Sequence, residues 1–196
     1  MTDDDATRAA RTRAKILDGL ARAERALFTR PAPKSARAQM KFLRTREKGS
    51  TKSLAERLGV SRKTVQRYLS GASTKPNKRL QAALVQETES EWQPQVRAQA
   101  RQRAASSGGL VISCRAYFGL GPEGTSDAGR VRDITVAVSP SHAAAILASQ
   151  EEGATESDLH DAVAEAIADA YFRQGGGGRA GLEVKFADVE WLNISF

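Results

Sequence analysis

The side chains best suited to a defined chemistry lie in one short run, where cations and hydrogen-bond donors alternate with apolar positions. The run consists of Arg62, Lys63, Thr64, Gln66 and Arg67. Val65, Tyr68 and Leu69 fall on the opposite side of the helix that this spacing predicts. Guanidinium, ammonium and amide groups at the start of a helix contact base edges and phosphates when that helix enters the DNA major groove. The alternative is an ordinary helical pair with a solvated basic face.

Two short helices and a turn are needed to position this run. Leu54, Ala55 and Leu58 form the apolar side of a first helix, and Gly59 has the backbone freedom that a sharp turn requires. Ser61 is a good N-cap for the second helix, and we include it among the candidate DNA-binding residues. Residues 53–68 therefore predict a helix-turn-helix.

Charge is distributed unevenly along the chain. Residues 1–105 hold 24 basic and 10 acidic side chains, a net charge of +14, and residues 106–196 hold 6 and 13, a net charge of −7, which together give the total of +7. This division indicates that only the first half lies on a polyanion, with an affinity that weakens as salt rises. The further basic side chains expected to neutralise phosphates are Lys52, Lys75, Lys78, Arg79, Arg97, Arg101 and Arg103.

Other kinds of site find little support in the sequence. It contains no glycine-rich phosphate loop followed by Lys-Ser/Thr, no HExxH and no CxxC. Cys114 is the sole cysteine, which excludes an internal disulfide, makes a zinc site improbable and favours the cytoplasm. No run of about 18 apolar residues predicts a membrane span. We therefore expect no metal, no cofactor and no membrane partner.

The hydrophobic period changes from 3.6 to 2 after residues 106–109, which we take as a domain joint. Helices are predicted over residues 8–28 and 35–46, over 53–68 as a pair, and from a first turn that contains Pro76 to about Glu87. A basic helix or arm is predicted over 95–104. Trp92 either packs at a corner between helices, which we prefer, or stacks on a base. The fold expected is α+β: an all-helical N-terminal DNA-binding domain, 1–105, and a small β-β-α-α-β domain, 106–196.

The C-terminal domain has two strands, over residues 110–118 and 131–138, followed by two helices. In the second helix Leu159, Val163, Ile167 and Tyr171 share a face. The final segment, LEVKFADVEWLNISF, alternates as a strand pair or as one bulged strand. It packs within its own sheet or pairs with another chain along an edge, which would make the protein a homo-oligomer.

Four segments resemble the telomere-protecting terminal proteins of actinomycete (Streptomyces-type) linear chromosomes and plasmids. They are TRPAPKSARAQMKFL, LAERLGVSRKTVQRYLSG, WQPQVRAQARQRAASSGGLVI and GLEVKFADVEWL. The resemblance extends from about Leu17 to Phe196. It implies a protein that is covalently attached to the 5′ ends of linear replicons, caps telomeric DNA in the nucleoid and primes end-patching DNA synthesis. The partners it implies are a telomere-associated DNA-binding protein and a DNA polymerase.

The resemblance also implies where the DNA is attached. In that family a threonine in the strand after the Gly-Gly joint carries the linkage, and matching GGLVISCRAYFG places this position at Cys114. Because a cysteine would give a labile thiophosphate ester, we expect Ser113 to accept the nucleotide. Ser106, Ser107 and Thr125 are alternative acceptors. The other possibility is that Ser113 is an ordinary polar strand residue without a role in the linkage. The protein would be a substrate of the polymerase and not an enzyme, so no catalytic residue is assigned.

Two other functions stay open at this point. A helix-turn-helix transcription regulator with a C-terminal dimerisation or ligand-binding domain would use the same elements. A nucleotidyl transferase would need convergent carboxylates to hold metal ions. The carboxylates available for that role are Asp133, Glu183, Asp188 and Glu190.

Overall fold

A computed structural model describes residues 15–120, 129–173 and 183–196. Within them the fold is mixed α+β, with eight α-helices and a three-stranded antiparallel sheet, and helices dominate the N-terminal part. The elements are α1 (Lys15–Ala26), α2 (Ala36–Arg46), α3 (Thr51–Arg57), α4 (Arg62–Ser70), α5 (Lys78–Glu91), α6 (Pro94–Arg103), β1 (Leu110–Leu120), β2 (Arg130–Val138), α7 (Pro140–Glu151), α8 (Glu156–Ile167) and β3 (Val184–Ser195). Two compact units result: a helical unit, residues 28–96, and a sheet unit, made by residues 15–27 and the described residues from 97 onward.

In the helical unit, a polar side chain starts each of the helices α2 to α5. Ser35, Ser50, Ser61 and Asn77 each accept a hydrogen bond from the backbone N–H three residues later. Such caps satisfy backbone donors that have no partner within the helix. The apolar sides of the four helices meet in one buried core, made by Ala36, Met40, Leu43, Leu54, Ala55, Leu58, Val65, Tyr68, Leu80 and Leu84.

The sheet unit is built on β1, which lies between its two partners in the order β2-β1-β3. Both pairings are antiparallel, and they set Ser113 opposite Thr135 on one side and opposite Asn193 on the other. Alternate residues of β1, including Ile112 and Cys114, are fully buried on one face, beneath apolar side chains of α1, α7 and α8. The predicted β-β-α-α-β order of the C-terminal segment is confirmed, and the structure adds α1 to that core.

Helix α1 shows where the structure departs from the predicted division at residue 105. We expected a helix over 8–28 that belonged to the basic half, but within the described residues the helix is Lys15–Ala26. Its start is held by the carboxylate of Glu156, which accepts hydrogen bonds from the backbone N–H groups of Ile16 (2.7 Å) and Leu17 (3.0 Å). Because Ile16 and Leu20 are buried in the core of the sheet unit, α1 is part of that unit.

The segment expected to be a domain joint is an ordered turn inside the sheet unit. Residues Ala104–Gly108 form a π-helical turn that continues α6, and Ala104 is buried. Gly109 follows with φ 70° and donates its N–H to the carbonyl of Ala104 at 2.9 Å. Gly109, where a Cβ atom would lie 2.1 Å from the carbonyl oxygen of Val138, is therefore needed for a close backbone approach and not for a hinge.

Two further details correct or refine the predictions for the sheet unit. The C-terminal segment is one strand with a bulge opposite the stretch between Arg115 and Tyr117, one of the two alternatives expected. After α8 the helix widens into a π-helical segment, Ala168–Arg173, which adds a residue to the turn. As a result Phe172 is buried and Tyr171 is exposed, so the prediction that Tyr171 shares the buried face was wrong.

None of the helices in the described part of the chain is long and apolar enough to cross a membrane.

Candidate functional site

Helix α4 presents a polar and positively charged face to solvent. The exposed side chains on this helix include Arg62, Lys63, Gln66 and Arg67. On the other side, Val65 and Tyr68 are buried in the core of the helical unit. Left-handed glycines lie on both sides of the helix, Gly59 (φ 62°) in the turn that precedes it and Gly71 (φ 89°) at its C-terminal cap. The chain thus turns sharply before and after α4, which leaves the charged face accessible.

The first turn of α4 is fixed by its own hydroxyl groups. The Oγ of Ser61 accepts a hydrogen bond from the Thr64 N–H (3.1 Å) and lies 2.9 Å from the Thr64 Oγ1. The Nε of Arg62 donates to the Oγ1 of Thr51 on α3 at 2.9 Å, which orients that guanidinium group. Ser61 and Thr64 therefore stabilise the helix start, and the long side chains beyond them carry the contacts that α4 can make.

The helical unit carries a net positive charge, and the rest of the chain carries a net negative charge. Residues 28–96 contain 15 basic and 5 acidic side chains, a net charge of +10, whereas the remaining residues contain 15 and 18, a net charge of −3. The other phosphate-neutralising candidates in this unit, all exposed, are Lys52, Lys75, Lys78 and Arg79. The contrast in net charge is smaller than the one between residues 1–105 and 106–196, because basic residues of α1 and α6 belong to the sheet unit.

Three of the five acidic side chains in the helical unit surround one arginine, which is about three-quarters buried. Arg57 lies 3.0 Å from Glu47, 2.6 Å from Glu87 and 3.0 Å from Glu91, and we call these four residues the Arg57 cluster. Partial burial by itself lowers the pKa of Arg57, but the side-chain hydrogen bonds to the three carboxylates together outweigh it and raise the pKa above its ordinary value. Because the cluster uses up these carboxylates, they compete little with a polyanion for the exposed cations.

Two of the predicted DNA-binding arginines have a different role in the structure. In the sheet unit, Arg101 donates to the Oε1 of Glu24 from Nε (2.9 Å) and from Nη2 (2.5 Å), and Arg97 lies 3.4 Å from the Oε2 of the same carboxylate. The Nη1 of Arg101 is also 2.9 Å from Glu151. The side chains of Arg97 and Arg101 are about four-fifths buried and paired with carboxylates, so they are poorly placed for the predicted phosphate contacts. Arg103, at the end of α6, is exposed.

Helix α2 and the turn that follows it carry a basic stripe that the sequence analysis missed. Arg37, Lys41, Arg44 and Lys48 are all exposed and follow one another at intervals of four, three and four residues. Three of them, Lys41, Arg44 and Lys48, line a groove of about 450 Å³. The helical spacing of Arg37, Lys41 and Arg44 was the signal that could have identified most of the stripe from sequence.

The proposed acceptor, Ser113, lies on the face of β1 that points away from the apolar core. Its side chain is half-buried, and its Oγ accepts a hydrogen bond from the Oγ1 of Thr135 at 3.0 Å. Because Ser113 is the acceptor in this bond, its own hydroxyl hydrogen is not used by Thr135. Thr135 was not a sequence candidate, since its position opposite Ser113 depends on the register between β1 and β2.

Cys114, the position that the family resemblance marks for the linkage, has the opposite environment. It is fully buried among apolar side chains, and burial together with the charge of Asp133 raises the pKa of the thiol to about 12. A neutral thiol without access to solvent cannot react with a nucleotide. Of the alternative acceptors, Ser106 and Ser107 are exposed in the π-helical turn, and Thr125 lies outside the described residues.

Charged side chains next to Ser113 neutralise one another. Arg115 forms ion pairs with Asp133 across the β1–β2 ladder and with Glu190 on β3, the latter at 2.9 Å. Within residues 15–120, 129–173 and 183–196, no group of three or more His, Cys, Asp or Glu side chains is arranged to hold a metal ion. Asp133 and Glu190, two of the carboxylates considered for a nucleotidyl transferase, are thus occupied by Arg115.

Comparison of the chain with protein-family models, with curated proteins and with solved structures gives no significant match. Any assignment of function rests on the residues and geometry of this chain.

Proposed function

We propose that the helical unit binds duplex DNA as a helix-turn-helix domain, with α4 in the major groove. The observation that carries this proposal is the exposed face of α4, where Lys63, Gln66 and Arg67 extend from a helix whose start is fixed by Ser61 and Thr64. Side chains of these types match the donors and acceptors of base edges and the charge of phosphates. The net charge of +10 on the unit adds an affinity that does not depend on sequence.

The test is the double variant Arg62→Ala with Arg67→Ala, measured by binding to duplex DNA over a range of salt concentrations. If both side chains neutralise phosphates, the slope of log K against log salt should fall by about 1.8, at about 0.9 for each contact. The matched control is Arg130→Ala with Lys185→Ala, which removes two exposed cations from the sheet unit. Equal affinity and slope for the α4 variant and the wild type would refute the docking of α4.

We further propose that the protein is a telomere terminal protein, which is covalently attached to the 5′ ends of linear replicons and primes end-patching synthesis. The Oγ of Ser113 attacks the α-phosphorus of a deoxynucleoside triphosphate. An Oγ–P bond forms, the bond to the β-phosphate breaks, pyrophosphate leaves, and the hydroxyl proton passes to the polymerase site. The DNA polymerase supplies the catalytic metal ions, and a telomere-associated protein is the further partner.

The contrast between neighbouring β1 residues supports Ser113 as the acceptor. Ser113 is reachable from the outer face of the sheet, while Cys114 is enclosed in the core with a neutral thiol. The hydrogen bond from Thr135 would stabilise negative charge as it develops on the Oγ during attack. Thr135 is thus a positioning residue for the proposed reaction.

Mass spectrometry of the terminal complex after nuclease trimming identifies the acceptor. Trypsin cleavage after Arg103 and Arg115 gives a peptide that contains Ser106, Ser107, Ser113 and Cys114, so fragmentation within this peptide is needed. We expect the nucleotide on Ser113, no adduct in the Ser113→Ala variant and an unchanged adduct in Cys114→Ser. A nucleotide on any other residue refutes the assignment of Ser113, and DNA ends without attached peptide refute the terminal-protein function.

A transcription regulator is the second candidate, and one observation favours it. On the sheet unit, 38% of the surface of Val111 and 45% of that of Val131 and of Trp191 are exposed. Large apolar side chains exposed in a single chain are typical of a surface that is buried in a dimer. A regulator would protect an internal palindrome in a footprinting experiment and would sediment as a dimer. A terminal protein would instead retard the terminal DNA fragments of the replicon in a gel, and protease treatment would restore their mobility.

A further inference from the structure

Two arginines and two aromatic rings line a groove in the helical unit. The ring of Phe42 on α2 and the ring of Trp92, which follows α5, meet edge to face with centroids 5.1 Å apart. The guanidinium carbon of Arg30 lies 5.3 Å from the Trp92 ring centroid, and that of Arg46 lies 5.1 Å from the Phe42 ring centroid. The groove has a volume of about 500 Å³, within the range of about 300–1,000 Å³ of small-molecule sites.

Hydrogen bonds hold the walls of this groove in place. The indole N–H of Trp92 donates to the carbonyl of Arg30 at 3.1 Å, which fixes the orientation of the ring. The amide group of Gln93 accepts from the N–H of Thr29 (3.0 Å) and donates to its hydroxyl (3.1 Å). Gln93 itself has φ 46°, an uncommon value for a residue other than glycine. A site whose walls are fixed in advance loses little conformational entropy when a ligand binds.

The groove is positively charged. Arg30 is exposed, and among the described residues no carboxylate forms an ion pair with it. Arg46 is 3.9 Å from the Glu91 carboxylate, which is shared with Arg57, and also donates to the Glu91 backbone carbonyl at 3.2 Å. The first turn of α6 forms another part of the wall, and helix N-termini carry partial positive charge. The site therefore suits an anion that is joined to a flat aromatic group.

We propose that this groove binds an unpaired nucleotide of single-stranded DNA, with the base against Trp92 and the adjacent phosphate at Arg30. Aromatic rings bind bases without sequence preference because every base has a π face, and arginine adds its charge and a planar surface. A base inside a duplex is covered by its neighbours on both faces, so the groove selects single strands. The proposal rests on the DNA-binding role proposed above and adds a contact that is separate from α4.

The experiment uses the fluorescence of Trp92 in the full-length protein. Trp191→Phe removes the only other tryptophan, which is exposed, and leaves Trp92 as the sole indole. This variant is titrated with oligothymidylate, with an abasic oligomer of equal length and with duplex DNA. We expect saturable quenching by oligothymidylate alone, because stacking requires an accessible base. Adding Arg30→Gln, a change at an exposed side chain, should weaken this binding about tenfold.

A variant of α4 separates the two proposals. In the Trp191→Phe protein, Arg62→Ala with Arg67→Ala should retain saturable quenching by oligothymidylate, while Arg30→Gln should retain duplex binding. The groove proposal is refuted by an absence of quenching, by equal quenching from the abasic oligomer or the duplex, or by unchanged binding in Arg30→Gln. Duplex binding by the α4 variant tests only the helix-turn-helix proposal, and quenching by oligothymidylate tests only the groove proposal. Each proposal can therefore fail without the other.

Discussion

Replacement of Gly109 with alanine should destabilise the sheet unit strongly, because the backbone here has no room for a side chain. Gly109 has φ 70° and ψ −162°, a region that is essentially limited to glycine and costs other residues about 1–3 kcal/mol. A Cβ atom at this position would lie 2.1 Å from the carbonyl oxygen of Val138, whereas ordinary contact begins at 3.4 Å. The start of β1 would have to move away from the end of β2, where Leu110 pairs with Val138.

Loss of one terminal backbone hydrogen bond adds about 0.5–1.5 kcal/mol, so the expected total for Gly109→Ala is about 2–4 kcal/mol. For a chain of this length, that loss corresponds to a melting temperature lower by about 4–16 °C. The fluorescence of Trp191 in a Trp92→Phe background reports the unfolding of the sheet unit alone, since Trp92 belongs to the helical unit.

Gly108, the preceding residue, provides the matched control. A Cβ atom there would lie 3.5 Å from the Arg103 carbonyl oxygen, which is an ordinary contact, and its backbone is not left-handed. Gly108→Ala should therefore change the free energy of unfolding by less than about 1 kcal/mol. Equal stability of the two alanine variants would show that residues 106–109 are a flexible joint, as the sequence suggested, and would refute the close approach of β1 and β2.

Three other predictions concern buried or partly buried polar groups. In the native protein at neutral pH, the Cys114 thiol should react with a disulfide reagent far more slowly than in denaturant, since burial raises its pKa to about 12; equal rates would refute its burial. Glu156→Gln should cost about 1–2 kcal/mol by weakening the cap on α1. Burial raises the pKa of Glu156 above 4.5, so the free energy of unfolding of the wild type should decrease as the pH rises from 4.5 through the native pKa. Denaturation measured across that interval should show no such decrease in the Glu156→Gln variant. Arg57→Met should leave the three glutamates of the Arg57 cluster facing one another and destabilise the helical unit by about 1–2 kcal/mol. The value is modest because the side chains are a quarter to a third exposed. If repulsion is the cause, adding Glu87→Gln should restore part of the lost stability.

Local patterns in the sequence predicted most of the elements, because each pattern has a physical cause within a few residues. The period of 2 after residue 109 correctly predicted β1, since side chains of a strand point to opposite sides in turn, and Cys114 lies on its buried face. Ser61 correctly marked the start of α4, where its side chain replaces a missing backbone acceptor.

Long-range contacts could not be predicted in this way. The apolar face of α1 shows that the helix is buried, but not which core it joins. The pairing of Arg101 with Glu24 spans 77 residues, and no local pattern distinguishes a buried arginine of α6 from a phosphate-binding one. The same limit concealed Thr135, whose role depends on strand register, and the π-helical segment that exposes Tyr171.

The charge around Ser113 bears on whether the protein would be an acceptor or a transferase. A protein that bound a nucleoside triphosphate by itself would need cations or metal ions to neutralise its phosphates. Arg115, two residues along β1 from Ser113, is already shared between Asp133 and Glu190, and the chain outside the helical unit has a net charge of −3. Such a surface repels a triphosphate unless another catalyst delivers it with its metal ions. The electrostatics of the sheet unit therefore favour a hydroxyl that is presented to a polymerase over a hydroxyl that is activated within this chain.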